Sequence, residues 1–163
     1  MFNNTLTFAS NKLLILKPKK MKKLILILTI VFASVGYAQK ISSSAVPTVV
    51  TSKLTTLYPT GNVEQWKKEK GNYEVKLVQN STKTCVVMDA NGNVVKTTTK
   101  VDVSDLPNSA NDYIIKNYTN EKVTEASKTV EANGVVKYEA KVKETYLCFD
   151  TNGNFVKSEK RKS

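Results

Sequence analysis

Histidine is absent from all 163 residues. That removes Ser-His and Cys-His nucleophile pairs, and with them the commonest proton shuttle and metal ligand. Neither a P-loop nor a G-x-G-x-x-G turn is present, so the usual phosphate cradles are missing too. Acidic residues are missing from the first 38 positions, whereas six of the 25 Lys+Arg fall there (Lys12, Lys17, Lys19, Lys20, Lys22, Lys23). The formal charge of +11 therefore misleads: beyond residue 38, 19 basic residues face 14 acidic ones, a net +5. Those lysines are mostly spread singly, with a short run at Lys157, Lys160, Arg161 and Lys162. A solvated face and a basic tail account for them, and no nucleic-acid partner is expected.

Long apolar runs are also scarce. The stretch Leu24 to Val35 follows Met21-Lys22-Lys23 and precedes Gly36-Tyr37-Ala38, which places small residues at −3 and −1 of a cleavage point before Gln39. This is the pattern of a signal peptide, too short for a comfortable membrane span. Residues 1–38 are read as an export signal. Its start is either Met21 or, with an unusually long basic region, Met1. Gln39, not Cys, stands directly after Ala38, so a lipoprotein anchor is not expected, nor is any other stable membrane anchor. The mature chain is expected in the periplasm or beyond.

What is present is a duplication. Asp89-Ala90-Asn91-Gly92-Asn93-Val94-Val95-Lys96 matches Asp150-Thr151-Asn152-Gly153-Asn154-Phe155-Val156-Lys157. Val46-Pro47 matches Leu106-Pro107, Tyr58 matches Tyr118, and Val63 matches Val123. Between them, Tyr73-Glu74-Val75-Lys76 matches Tyr138-Glu139-Ala140-Lys141. Ordered matches at nearly constant spacing mark two repeats, 39–104 and 105–163. In each, Pro47 or Pro107 suits a helix start. Val49, Val50, Leu54 and Leu57 then recur at helical spacing in the first copy, and Ala110, Ile114, Ile115 and Tyr118 in the second. Four strands are predicted to follow, cut by turn signals at Gly71-Asn72 and Asn133-Gly134. Asn91-Gly92 and Asn152-Gly153 read as hairpins, a dipeptide that readily takes φ > 0 at both central positions. The fold class is α+β: two tandem repeats, each one helix on a four-stranded antiparallel meander. A unit of ~60 residues buries about 60% of its unfolded surface and is marginal alone, so the two repeats are expected to pack together or extend one sheet.

At Val46-Pro47, Leu57-Tyr58-Pro59, Trp66, Gly71-Asn72-Tyr73-Glu74-Val75 and Val87-Met88-Asp89-x-x-Gly92, with Leu106-Pro107 opening a second copy, the chain resembles the PepSY-like, β-lactamase-inhibitor-like family of Gram-negative periplasmic proteins. The second copy departs from the pattern, with Ala126 for Trp66 and Thr119 for Pro59. The resemblance implies a helix on a four-stranded antiparallel sheet, usually in tandem, with the uncovered face available to a partner. It also implies binding or enzyme inhibition.

The Asp-x-Asn-Gly-Asn turns are not EF-hand loops, whose Gly stands at position six and whose Glu stands at twelve. They read as plain hairpins, and no metal or cofactor is expected. Cys85 and Cys148 admit two readings in an oxidising compartment, a disulfide or two separate thiols. Strand alternation puts both on one face with Val87 and Tyr146, beside Lys76 and Lys141. Trp66, the single tryptophan, is either a core ring beneath the helix or an anchor on the open face. The candidate partner face comprises Trp66, Lys76, Val87, Lys141 and Tyr146. The favoured function is a non-enzymatic module that binds a protein or peptide partner in the cell envelope. The alternatives are an inhibitor of a secreted or periplasmic hydrolase, and a binder of small ligands or of the envelope surface.

Overall fold

Tight turns divide the chain beyond residue 38 into short β segments, and each segment lies beside its neighbour in sequence. The computed structural model describes residues 39–160. The expected export signal, and Arg161 and Lys162 of the basic tail, lie outside the described residues. In order come β1 (Gln39–Ile41), a 3₁₀ turn (Ser43–Ala45), α1 (Thr48–Leu57), β2 (Asn62–Glu69), β3 (Asn72–Gln79), β4 (Thr82–Met88) and β5 (Val94–Val101). A second 3₁₀ turn (Val103–Asp105), α2 (Asn108–Asn117), β6 (Val123–Glu131), β7 (Val136–Val142), β8 (Thr145–Phe149) and β9 (Phe155–Lys160) complete the described residues. All nine described strands form one antiparallel sheet whose spatial order is the chain order.

Four strands follow each helix, and the sheet holds more than those two sets. β1 is an additional strand, and the repeats merge through β5 and β6. β5 serves twice. Its start corresponds to β9, which closes the second repeat, while its end puts Val101 opposite Ala126, as β1 puts Ile41 opposite Trp66. The expected boundary between residues 104 and 105 falls in the 3₁₀ turn just after this shared strand.

Each helix begins where a proline fixes the chain. The Pro47 carbonyl accepts from the N–H groups of Val50 (2.9 Å) and Thr51 (3.1 Å), and Pro107 does the same for Ala110 (2.9 Å) and Asn111 (3.1 Å). The buried stripe is narrower than the predicted one: Val46, Val50 and Leu54 in the first copy, and Leu106, Ala110 and Ile114 in the second. Val49, Leu57 and Ile115 are exposed. A straight i, i+4 row suffices because a sheet contacts a helix along one line. Each fully buried aliphatic side chain in that row stabilises by about 1.5–3 kcal/mol.

The rows pack into two separate cores on the same side of the sheet. The first gathers Val46, Val50, Leu54, Trp66, Tyr73, Val75, Leu77, Val86 and Met88. The second gathers Leu106, Ala110, Ile114, Ala126, Ala140, Val142, Leu147 and Phe149.

Turn chemistry fixes the register. Positive φ at both central residues occurs at Lys70-Gly71 and Asn80-Ser81, which join β2 to β3 and β3 to β4. The Asn-Gly turns differ from expectation, since only Gly92 (φ 82°) and Gly153 (φ 81°) lie in the left-handed region there. Asp89 and Asp150 explain why. Asp89 accepts from the N–H of Asn91 (2.8 Å) and Asn93 (2.9 Å) and from the Asn93 side-chain amide (2.9 Å). Asp150 makes the same three bonds to Asn152 and Asn154. An Asx-type turn therefore precedes one left-handed glycine. Hydrogen bonds from the Asn93 and Asn154 side chains, then from backbone N–H groups, hold both carboxyls below their ordinary value.

Candidate functional site

With both helices on one side, the other side of the sheet carries no helix among the described residues, and alternation decides what it shows. Lys76 lies opposite Cys85, which lies opposite Thr98 and then Thr129 on β6. Glu74 lies opposite Val87, which lies opposite Lys96. In the second repeat Lys141 lies opposite Tyr146, and Glu139 opposite Cys148. The candidates Lys76, Val87, Lys141 and Tyr146 thus share the open face with both cysteines. Lys76 and Lys141 are repeat equivalents, and so are the Cys85 and Tyr146 positions opposite them.

Trp66 is not on this face. It is 5% exposed, opposite Val75 and Ile41 in the first core. The cause is a β-bulge: Val63 pairs with Leu77 and Gln65 with Lys76, leaving Glu64 as the extra residue. The bulge shifts the alternation by one, so Val63 and Trp66 both face the helix. The second repeat repeats the device between Val123 and Glu125, which turns Ala126 inward. The open-face reading of Trp66 is therefore corrected.

At the seam between repeats the open face dips into a depression of about 290 Å³. The first repeat lines it with Lys76, Lys83, Cys85, Thr98 and Lys100; the second adds Glu125, Ser127, Glu139, Lys141 and Tyr146. The Thr98 and Thr129 hydroxyls are hydrogen-bonded at 2.8 Å across the seam. The Lys141 amine donates to Glu125 at 3.3 Å and lies 5.4 Å from the centre of the Tyr146 ring. The Glu125 carboxylate, together with Tyr146, raises its proton affinity above the ordinary lysine value. Alternation alone could not reveal Lys83, Lys100, Glu125 or Ser127, because it does not say that β5 and β6 are neighbours.

Cys85 and Cys148 are both unbridged. They stand on β4 and β8, four strand spacings apart, roughly 19 Å at about 4.8 Å per strand. A disulfide requires Cα atoms within about 7 Å. Burial, then the Glu74 carboxylate, pushes the Cys85 thiol up to about 11. Cys148 Sγ lies 3.8 Å from a Glu139 carboxylate oxygen.

The pattern of the family described as "Putative beta-lactamase-inhibitor-like, PepSY-like" matches the chain twice, over residues 35–96 and 78–157. The chain belongs to the PepSY-like family. The two matches overlap through β4 and into β5, the strand that serves both repeats. Solved structures agree on the fold. A "putative periplasmic" protein from Bacteroides eggerthii is similar at 17% identity and TM-score 0.63, covering 77% of this chain and 90% of that one. A protein from Bacteroides ovatus is similar at 21% identity and TM-score 0.60, covering 70% and 86%. A BLIP-like protein from Bacteroides fragilis is similar at 20% identity and TM-score 0.58, with the same coverage. No curated protein matches the chain. This PepSY-like chain shares the α+β architecture of these proteins, with the repeats joined in one sheet.

Proposed function

We propose that the chain is an exported periplasmic binding module without catalytic activity, and that its open sheet face engages a protein or peptide partner. One observation carries this reading: a depression at the seam is lined by both repeats, so duplication builds a surface that neither copy has alone. Its chemistry is that of recognition. Ammonium, carboxylate, hydroxyl and aromatic groups alternate across it, which suits a partner presenting both charges. The one thiol that lines it, Cys85, keeps its proton at neutral pH and is a poor nucleophile. The periplasmic description of the Bacteroides eggerthii protein supports the same compartment for this chain.

A second reading is favoured by the family description and by the BLIP-like Bacteroides fragilis protein: the partner is a hydrolase, and binding inhibits it. One experiment addresses both readings. The exported chain, expressed from its full gene and purified, is used to capture partners from periplasmic extract, alongside a Lys76→Glu/Lys141→Glu variant. The binding reading expects a stoichiometric partner that the variant retains at least tenfold less. A hydrolase among the captured proteins, losing activity on titration, would establish inhibition. Equal capture by both proteins would remove the open face from consideration. Loss of all capture at moderate salt would favour an electrostatic attachment to the envelope surface.

A further inference from the structure

The duplication also shows what the last strand lacks. Val94, Val95 and Lys96 of β5 correspond to Phe155, Val156 and Lys157 of β9. β5 is paired on both sides, with β4 and with β6. β9 is paired with β8, and no other described strand borders it. β6 is therefore a template for the strand that fits beside this backbone.

The template is informative. The Ala132 N–H donates to the Val95 carbonyl at 2.9 Å, and Glu131 stands opposite Lys96. On β9 the matching groups are the Val156 carbonyl and Lys157, and Val156 is 60% exposed. From residue 155 onward the sequence has Lys157, Lys160, Arg161 and Lys162 against the single acid Glu159, whose carboxylate already pairs with Lys157, so the excess charge lies toward the end of the strand. Lysines on an edge strand normally discourage indiscriminate pairing. Here they also discriminate. A second copy would bring β9 or β1, and both are basic: β1 is three residues long and carries Lys40. An acidic strand would meet opposite charge instead.

We propose that the outer edge of β9 accepts an extended acidic segment of a partner protein as a tenth, antiparallel strand, with a carboxylate opposite Lys157 as Glu131 stands opposite Lys96. This is strand addition, in which backbone hydrogen bonds give affinity and the alternate side chains give selectivity. It does not depend on the open-face reading.

The probe is a capped synthetic peptide with the sequence of residues 123–132 carrying Lys128→Glu, titrated into isotope-labelled exported chain. Saturable amide shifts confined to Val156–Lys160 are expected. By equivalence with Val95, the N–H and C=O groups of Val156 and Ser158 point to the outer edge, while those of Lys157 and Glu159 point to β8. Ser158→Pro therefore removes an outward donor and spares the β8 ladder. It should weaken the peptide at least tenfold, as should Glu131→Lys in the peptide. If Ser158→Pro disturbs the fold, the charge-reversed peptide against the unaltered protein decides alone. Shifts at Lys76, Cys85 and Tyr146, or no saturable change at millimolar peptide, would overturn the proposal. So would a concentration-dependent dimer abolished by Ser158→Pro, which would assign the edge to a second copy.

Discussion

The two halves of the sheet hold the same backbone and fill it differently. Under α1 the bulk comes from Trp66, on the second strand. Under α2 that position is Ala126, and Val50 and Val75 are matched by Ala110 and Ala140. The missing volume reappears at the other end of the repeat. Phe149 stands where the first copy has Met88, Phe155 where it has Val94, and Tyr113 where it has Lys53. Tyr113 stacks on Phe155 with ring centres 4.4 Å apart, and both meet Phe149 edge-on, at 5.9 and 6.2 Å. The backbone is held by features common to both copies: the proline, the bulge, the Asp-x-Asn-Gly-Asn turn and the i, i+4 helical row. A core on such a frame must conserve volume, and it need not conserve where that volume sits.

The strongest way to break this comparison is to remove each half's large ring. Trp66→Ala and Phe149→Ala should each cost about 3–5 kcal/mol, the usual range for deleting a buried aromatic. That is from about a fifth to all of the roughly 5–15 kcal/mol by which domains are normally stable. The reverse exchange is the sharper test. Ala126→Trp forces a second large ring into a core already filled from its far end, and should destabilise by at least about 1–3 kcal/mol. Urea denaturation reads all three through the midpoint at unchanged slope. If Ala126→Trp were stabilising, the aromatic cluster would not be the compensation for the missing tryptophan.

Trp66 also shows how far the sequence could be read. Strict alternation from Val63 puts it on the open face, and one extra residue, Glu64, turns it inward. Nothing about Glu64 in the sequence marks it as a bulge, because a bulge is a property of two paired strands. The duplication, the helices and most turns were legible because their signals are local: a proline, a glycine, a 3.6-residue period. The shared role of β5 and the depression at the seam depend on which strands are neighbours, and that is not local. Lys76, Val87, Lys141 and Tyr146 were placed on the right face because no bulge separates them from their pairing partners within β3, β7 and the first part of β4 and β8.

The glycines of the two matching turns offer a finer comparison. Both are left-handed, and both turns lie against the start of their own helix. A Cβ on Gly92 would meet the Val49 carbonyl oxygen at 3.1 Å. One on Gly153 would meet Pro107 Cβ at 2.6 Å and the Ala110 nitrogen at 3.0 Å. Gly92→Ala should cost about 1–2 kcal/mol, mostly for the left-handed backbone. Gly153→Ala should cost more, because two rigid groups of α2 must move as well. The Ser109 hydroxyl, which donates to the Asn152 carbonyl, ties that turn to the helix and limits its retreat. Thermal melts of the two variants order them directly, and equal losses would mean that α2 shifts freely.

The smallest effect concerns the thiols, which sit in different surroundings in the two halves. Cys85 lies between Lys76 and Thr98 near the seam, half-buried, with its proton held up to about 11 by burial and Glu74. At pH 8 only about one thiol in a thousand would then be the reactive thiolate, so alkylation by iodoacetamide should be slow and should accelerate tenfold per pH unit up to that range. Glu74→Gln removes the nearby negative charge but leaves the burial. It should lower the pKa and speed the reaction modestly, without changing the fold. Oxidation should leave the two cysteines unlinked within one chain, because four strand spacings separate them. A fast Cys85 at neutral pH would show that burial does not control it, and would make that thiol a candidate for chemistry at the seam.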